Sequence, residues 1–266
     1  EFLKANREAV QAMQDITNWL KSHMSDASSD FALGEDLFRQ MLWDTERVDI
    51  PVDELEAIGR ADMARNLAAL TDACGGFAPG SSIQDCFSKM SSNKPRDGSV
   101  ESARDQLLET RRFIEEQDLV SIPGSEEARV DEAPPYARSN SAYINIPGAW
   151  EKNQPSVYYI SPPNPAWSEQ VQTDYIAGES DLLFTSIHEV WPGHFLNFLH
   201  ANRADFFYGR VFVGYAFAEG WAHYSEEMML EAGLRKGDPE ARIGQISNAL
   251  LRNARFLSSI GLHTKG

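Results

Sequence analysis

The chain has 266 residues, 42% apolar and 24% charged, which is ordinary globular usage with enough apolar mass for a sizeable core. Its formal net charge of −16, from 40 acidic and 24 basic residues, excludes nucleic acid as the main partner, because phosphate binding needs a basic face. No apolar run approaches the ~20 residues of a membrane span, so no transmembrane segment is expected in this piece. No signal peptide is visible, but the chain starts at Glu1 rather than Met, and it reads as part of a longer protein.

Residues 1–118 read as a helical region. Val10, Met13, Ile16 and Leu20 fall at helical spacing, and Leu55, Ile58, Met63 and Leu67 do so approximately, with Asp53 as a cap. The stretch Gly75 to Gly98 is rich in Gly, Ser, Pro and Asn, so it is expected to be a loop around at most one short helix. Cys74 and Cys86 flank its first half. Their spacing suits a disulfide and two free thiols equally, which leaves the redox compartment open. The helical pattern resumes from Val100 to Asp118.

Residues 119–165 change character. Val120, Ile122, Tyr143, Ile144 and Val157 to Ile160 are β-formers set among prolines, which central strands exclude. They predict a small antiparallel sheet with long loops. Residues 166–266 return to helix, with candidates at Asp181–Leu199, Ala216–Ala232 and Ala241–Ser259. The three regions read as one continuous domain, mainly α, without repeats.

Chemistry concentrates in this last region. Of six histidines, His188 and His194 lie close together in His188-Glu189-Val190-Trp191-Pro192-Gly193-His194. A His-Glu pair on a helix with a second His nearby is the zinc-hydrolase arrangement. Two imidazoles and a carboxylate hold the ion and leave a position for water, and the adjacent glutamate serves as general base. The spacing is unusual. Six helical steps turn through about 600°, so a regular helix would leave the two rings about 120° apart. Pro192-Gly193 predicts a kink or bulge that restores convergence. The blander reading is two core histidines flanking a helix break.

A third ligand is expected from Phe217 to Glu227. There Glu219, His223 and Glu226 share one helix face. Glu219 follows the apolar run Val211–Ala218, where a buried carboxylate would need a partner such as a metal, so it is the expected ligand. Glu226 and His223 are then expected to orient a ligand or the substrate. His263 and Tyr224 are candidate oxyanion donors. Arg252 and Arg255 are candidate clamps for a substrate carboxylate. Tyr158 and Tyr159 mark a strand that could pair with an extended peptide. His23 and His200 are assigned no role.

These motifs resemble an uncharacterised bacterial family, numbered 885 among the domains of unknown function, with many members described as lipoproteins. Its hallmarks are H-E-x-x-P-G-H, then E-G-W-A-x-Y-x-E, then G-x-H-x-x-G. This chain carries His188 to His194, Glu219 to Glu226 and Gly261 to Gly266 in that order, and Phe31 to Gly34 is similar to the family's upstream part. The resemblance implies a zincin-like, gluzincin-like helical fold and a metallopeptidase role with one Zn2+ per chain, acting on a peptide or other amide. It also implies an extracytoplasmic setting with a lipid anchor outside this piece. Glu219 is similar to the glutamate that supplies a zinc ligand in gluzincin aminopeptidases. Asn197 departs from the family's usual Gln. The alternative is a non-catalytic helical lipoprotein or binding module that keeps the fold.

Overall fold

The computed structural model describes residues 1–265, among which eleven α-helices and three strands follow one another. The N-terminal helices are α1 (Phe2–Ser22), α2 (Glu35–Glu46), α3 (Val52–Phe77), α4 (Ile83–Ser92) and α5 (Ser99–Gln117). The strands are β1 (Ala128–Glu132), β2 (Ala142–Asn145) and β3 (Ser156–Ile160). The chain ends with α6 (Glu169–Tyr175), α7 (Glu179–Glu189), α8 (His194–Ala201), α9 (Phe207–Val211), α10 (Tyr215–Glu231) and α11 (Pro239–Thr264). The molecule is mainly helical with a small sheet.

Local chemistry explains several boundaries. Ser82 caps α4 by accepting the Asp85 backbone N–H at 3.1 Å, and its hydroxyl donates to the Asp85 carboxylate at 2.7 Å. Asp238 caps α11 by accepting from Glu240 N–H at 2.9 Å, and Pro239 takes the first helical position, where a missing N–H costs nothing. α3 runs straight through Gly75 and Gly76, where a loop was expected. The short helix expected after them is α4. Cys74 and Cys86 form a disulfide that joins α3 to α4, buried among Leu70, Met90, Ile243 and Ile246.

The sheet departs from the antiparallel expectation. Its order is β1–β3–β2, with β1 parallel and β2 antiparallel to β3. β1 has one buried apolar side chain, Val130, among charged neighbours, so its sequence carries little strand signal. The long segment between β1 and β3 lets the chain return in the parallel sense and lay β2 on the far side. Val120 and Ile122 pack against the core outside the strands.

α7 is the hub. Leu182, Leu183, Phe184 and Ile187 are buried in it, each worth ~1.5–3 kcal/mol of apolar transfer. It packs against α4, α5, α8, α10, α11 and β2. A Cβ on Gly244 of α11 would sit 3.0 Å from Ser180 Cβ, so this glycine sets the close approach of α11 to α7. Eight residues further along each helix, Arg252 meets His188, so the two helices run side by side in the same direction. α3 packs along α11 from the other side and brings the N-terminal region into the same body.

Two apolar surfaces lie outside this core. α1 has no buried residue, and its stripe of Val10, Met13, Ile16 and Leu20 is exposed. Phe206, Phe207, Tyr208, Phe212, Tyr215 and Phe217 are also exposed. Among the described residues, no helix is long and apolar enough to cross a membrane.

Candidate metal centre

His188 is the penultimate residue of α7, and His194 is the first of α8. The expected kink is a complete break. Residues 190–193 leave the helix, with a cis peptide between Trp191 and Pro192. Gly193 N–H donates to Ile187 O at 3.0 Å, so the chain folds back onto the last turn of α7. A Cβ at Gly193 would lie 1.8 Å from His188 O, so only glycine fits there. The break turns the second ring toward the first. Their centroids are 4.7 Å apart and their planes are at 84°.

Glu219 comes from the second turn of α10. Its Oε2 lies 3.4 Å from His188 Nε2, and its Oε1 lies 3.6 Å from His194 Nε2. The three donor groups all fall within 4.8 Å of one another. A tetrahedral ion with bonds of ~2.0–2.1 Å needs donors spaced about 3.3–3.4 Å apart, and the two Glu219 distances are close to that span, so two imidazoles and a carboxylate stand where they could hold a metal ion. α10 is tied to the break itself, because Trp221 Nε1 donates to Pro192 O at 2.8 Å.

Glu219 is not the buried carboxylate that its place after an apolar run predicts. Its side chain is 60% exposed, and residues 211–217 before it are exposed as well. The carboxylate without access to water is Glu226. Its Oε1 accepts from His188 Nδ1 at 2.8 Å and from Arg252 Nη2 at 3.0 Å. Both donors converge on one oxygen, which brings their own nitrogens to 3.0 Å. With Nδ1 committed to Glu226, Nε2 is the ring nitrogen of His188 that faces Glu219 and His194, and it offers a lone pair to an ion once its proton is displaced. His223 Nδ1 stands 3.8 Å from the same oxygen.

The electrostatics follow from this crowding. Burial depresses the basicity of His188, but the Glu219 and Glu226 carboxylates outweigh it and hold its pKa at about 9. Burial and the neighbouring His188 charge push His194 down to about 4, leaving it a neutral donor. Burial works against the charge of Glu226, yet His188, His223 and Arg252 keep its carboxyl below the usual range. Burial raises Glu189 to about 6, against the pull of His188 and the Ile144 backbone N–H.

A cleft of about 1040 Å³ opens over these groups. Glu189, at the end of α7, lines it together with His188 and His194. β2 forms one wall, Asn248, Leu251, Arg252 and Arg255 of α11 form another, and Phe198, Val213 and Tyr215 supply apolar surface.

Three expected site residues are elsewhere. Tyr224 is exposed and does not line the cleft. His263 stacks on Phe38 at 5.8 Å, three helical turns beyond Arg252, and Gly266 of the same motif lies outside the described residues. Tyr159 sits on β3, which is hydrogen-bonded on both sides and has no free edge for a peptide. The free edge beside the cleft belongs to β2. His200 bonds Ser121 O and His23 stacks on Trp19, both away from the site.

Sequence reasoning missed Asn248, which accepts from Arg252 Nη1 at 3.0 Å through its side chain, and the structural role of Trp221. It also missed Asp62 on α3. That carboxylate accepts from Asn66 at 3.1 Å and from Asn253 at 2.8 Å behind the Glu226 network. Only Trp221 lay within a motif. Asn248 meets Arg252 within α11 and Asp62 reaches Asn253 across the fold, and neither residue lies in a chemical motif.

Residues 1–266 match the family described as "Bacterial protein of unknown function (DUF885)", and the chain belongs to that family. No curated protein matches it. Two solved structures share its fold. One, from Shewanella oneidensis, is described as a "putative lipoprotein of unknown function". It has TM-score 0.76 and 23% identity over 99% of this chain and 49% of its own. The other is a "putative lipoprotein" from Colwellia psychrerythraea, with TM-score 0.76 and 20% identity over 98% of this chain and 46% of its own. The chain thus spans about half the length of these neighbours.

Proposed function

We propose that this chain carries the catalytic centre of a zinc-dependent peptidase or related amidase with a gluzincin-like arrangement. The observation that supports it most is the convergence of His188, His194 and Glu219 within 4.8 Å across a helix break. A zinc-type ion held by these side chains would supply an acidified water and a Lewis acid for the scissile carbonyl.

The chain's own residues account for the rest. Glu189 stands beside the ligand His188 and faces the cleft, positioned to take the proton of the attacking water and return it to the leaving amine. Glu226 holds the His188 tautomer, and Arg252 balances the buried charge of Glu226. An extended peptide would lie along the free edge of β2, with apolar side chains against Phe198, Val213 and Tyr215. The lipoprotein descriptions of both structural neighbours and the Cys74–Cys86 disulfide support an extracytoplasmic setting.

Metal analysis and a peptide-library screen of the full-length protein test this reading. About one zinc per chain and chelator-sensitive cleavage are expected. Glu189→Gln should keep the metal and lose at least ~100-fold in turnover. Full turnover by that variant with metal bound would refute the mechanism. Absence of both zinc and cleavage would leave a non-catalytic helical binding module.

A further inference from the structure

α11 presents Asn248, Leu251, Arg252 and Arg255 to the cleft, at the i, i+3, i+4 and i+7 positions of one helical face. This wall contains two cations and no acid, in a chain whose net charge is −16. The two arginines differ in what they already hold. Arg252 Nη1 donates to Asn248 O at 3.1 Å and to its Oδ1 at 3.0 Å, and Nη2 donates to Glu226 at 3.0 Å. Its fork is committed to the scaffold behind His188. Arg255, one turn further along, is exposed to the cleft and makes no hydrogen bond or ion pair among the described residues. An open guanidinium matches a planar carboxylate bidentately, and an acidic surface elsewhere makes such a local positive wall selective.

We infer that Arg255 is a specificity-determining residue that binds a carboxylate of the substrate. This rests on the peptidase reading, since a carboxylate is the anion that an unmodified peptide carries. α11 places Arg255 one helical turn beyond Arg252, which itself touches His188, so the bound carboxylate lies within a residue or two of the reacting amide. Two sources share this chemistry, a free C-terminus and an acidic side chain. The first would make the enzyme trim chains from the carboxyl end, and the second would make it select acidic sequences.

Peptide affinity, measured by titration calorimetry on the full-length Glu189→Gln protein with and without one equivalent of zinc, separates these outcomes without requiring turnover. The probes are acetyl-tetra-alanine as free acid and as C-terminal amide, and an amidated acetyl-alanyl peptide containing either Glu or Gln. The free acid should bind about 10- to 100-fold more tightly than its amide. Arg255→Gln should erase that preference, and Arg255→Lys should restore part of it, with unchanged thermal midpoints showing that both variants fold. A preference confined to the Glu/Gln pair and erased by Arg255→Gln supports the inference with a side chain as the source. Equal affinities within both pairs, no binding of any probe, or a preference that survives Arg255→Gln would overturn it. A failed zinc or cleavage assay would instead strike the peptidase reading, because the affinity ratio is read independently of both.

Discussion

Glu226 Oε1 lies 2.8 Å from His188 Nδ1, and this bond joins a carboxylate with no access to water to one of the two imidazoles that line the cleft. α10 thereby contributes twice to the site. Glu219 faces the two imidazole Nε2 atoms from the front, and Glu226, seven residues on along the same helical face, grips His188 from behind. Orienting partners of this kind typically change metal affinity 10- to 100-fold when removed.

Glu226→Gln keeps the shape but removes the charge that balances His188 and Arg252. Zinc affinity, measured by competition with a chromophoric chelator, should fall about 10- to 100-fold while the helical circular dichroism is retained. Unchanged affinity would mean that Glu226 serves packing alone.

Gly193→Ala should be severely destabilising. The added methyl would lie 1.8 Å from His188 O and 2.6 Å from Ile187 O, both backbone atoms at the end of α7. Overpacking ordinarily costs about 1–3 kcal/mol, and a clash with fixed backbone belongs at or above the top of that range. Denaturant unfolding should show the loss, and zinc binding should weaken with it as the rings move apart.

The Cys74–Cys86 bridge closes a short loop between α3 and α4, with a sequence separation of 12. Loops of this size contribute roughly 3 kcal/mol by constraining the unfolded chain. Replacing both cysteines by serine should lower the thermal midpoint by several degrees and abolish its sensitivity to reductant. An unchanged midpoint would show that the bridge is energetically idle.

Asp181, in the first turn of α7, is raised by burial to about 6, against the nearby Lys94 and the Gly178 backbone N–H. A carboxyl whose folded pKa lies above its unfolded value of 3.8 adds stability below pH ~4, and that contribution is lost as the pH rises through about 6. The full effect is at most about 3 kcal/mol. Asp181→Asn should flatten this part of the stability profile between pH 4 and 7. An identical profile in the variant would remove Asp181 as its source.

The sequence by itself determined the donor set of the candidate site. His188, Glu189 and His194 were legible because donor chemistry at short spacing is a local property, Glu219 was legible only through its own motif, and Pro192-Gly193 announced that the helix could not continue. The helical pattern of α3, α5, α10 and α11 was legible for the same reason, since periodicity is written along the chain. Only the tertiary structure decided which carboxylate is buried, and it chose Glu226 over Glu219, because burial depends on how α7 and α11 pack around α10. It likewise placed β3 at the centre of a mixed sheet, gave the cleft-side edge to β2, and sent His263 and Tyr224 elsewhere. Strand order, helix contacts and the pairing of Cys74 with Cys86 join residues far apart in sequence or across a turn, and neither composition nor periodicity records such distances.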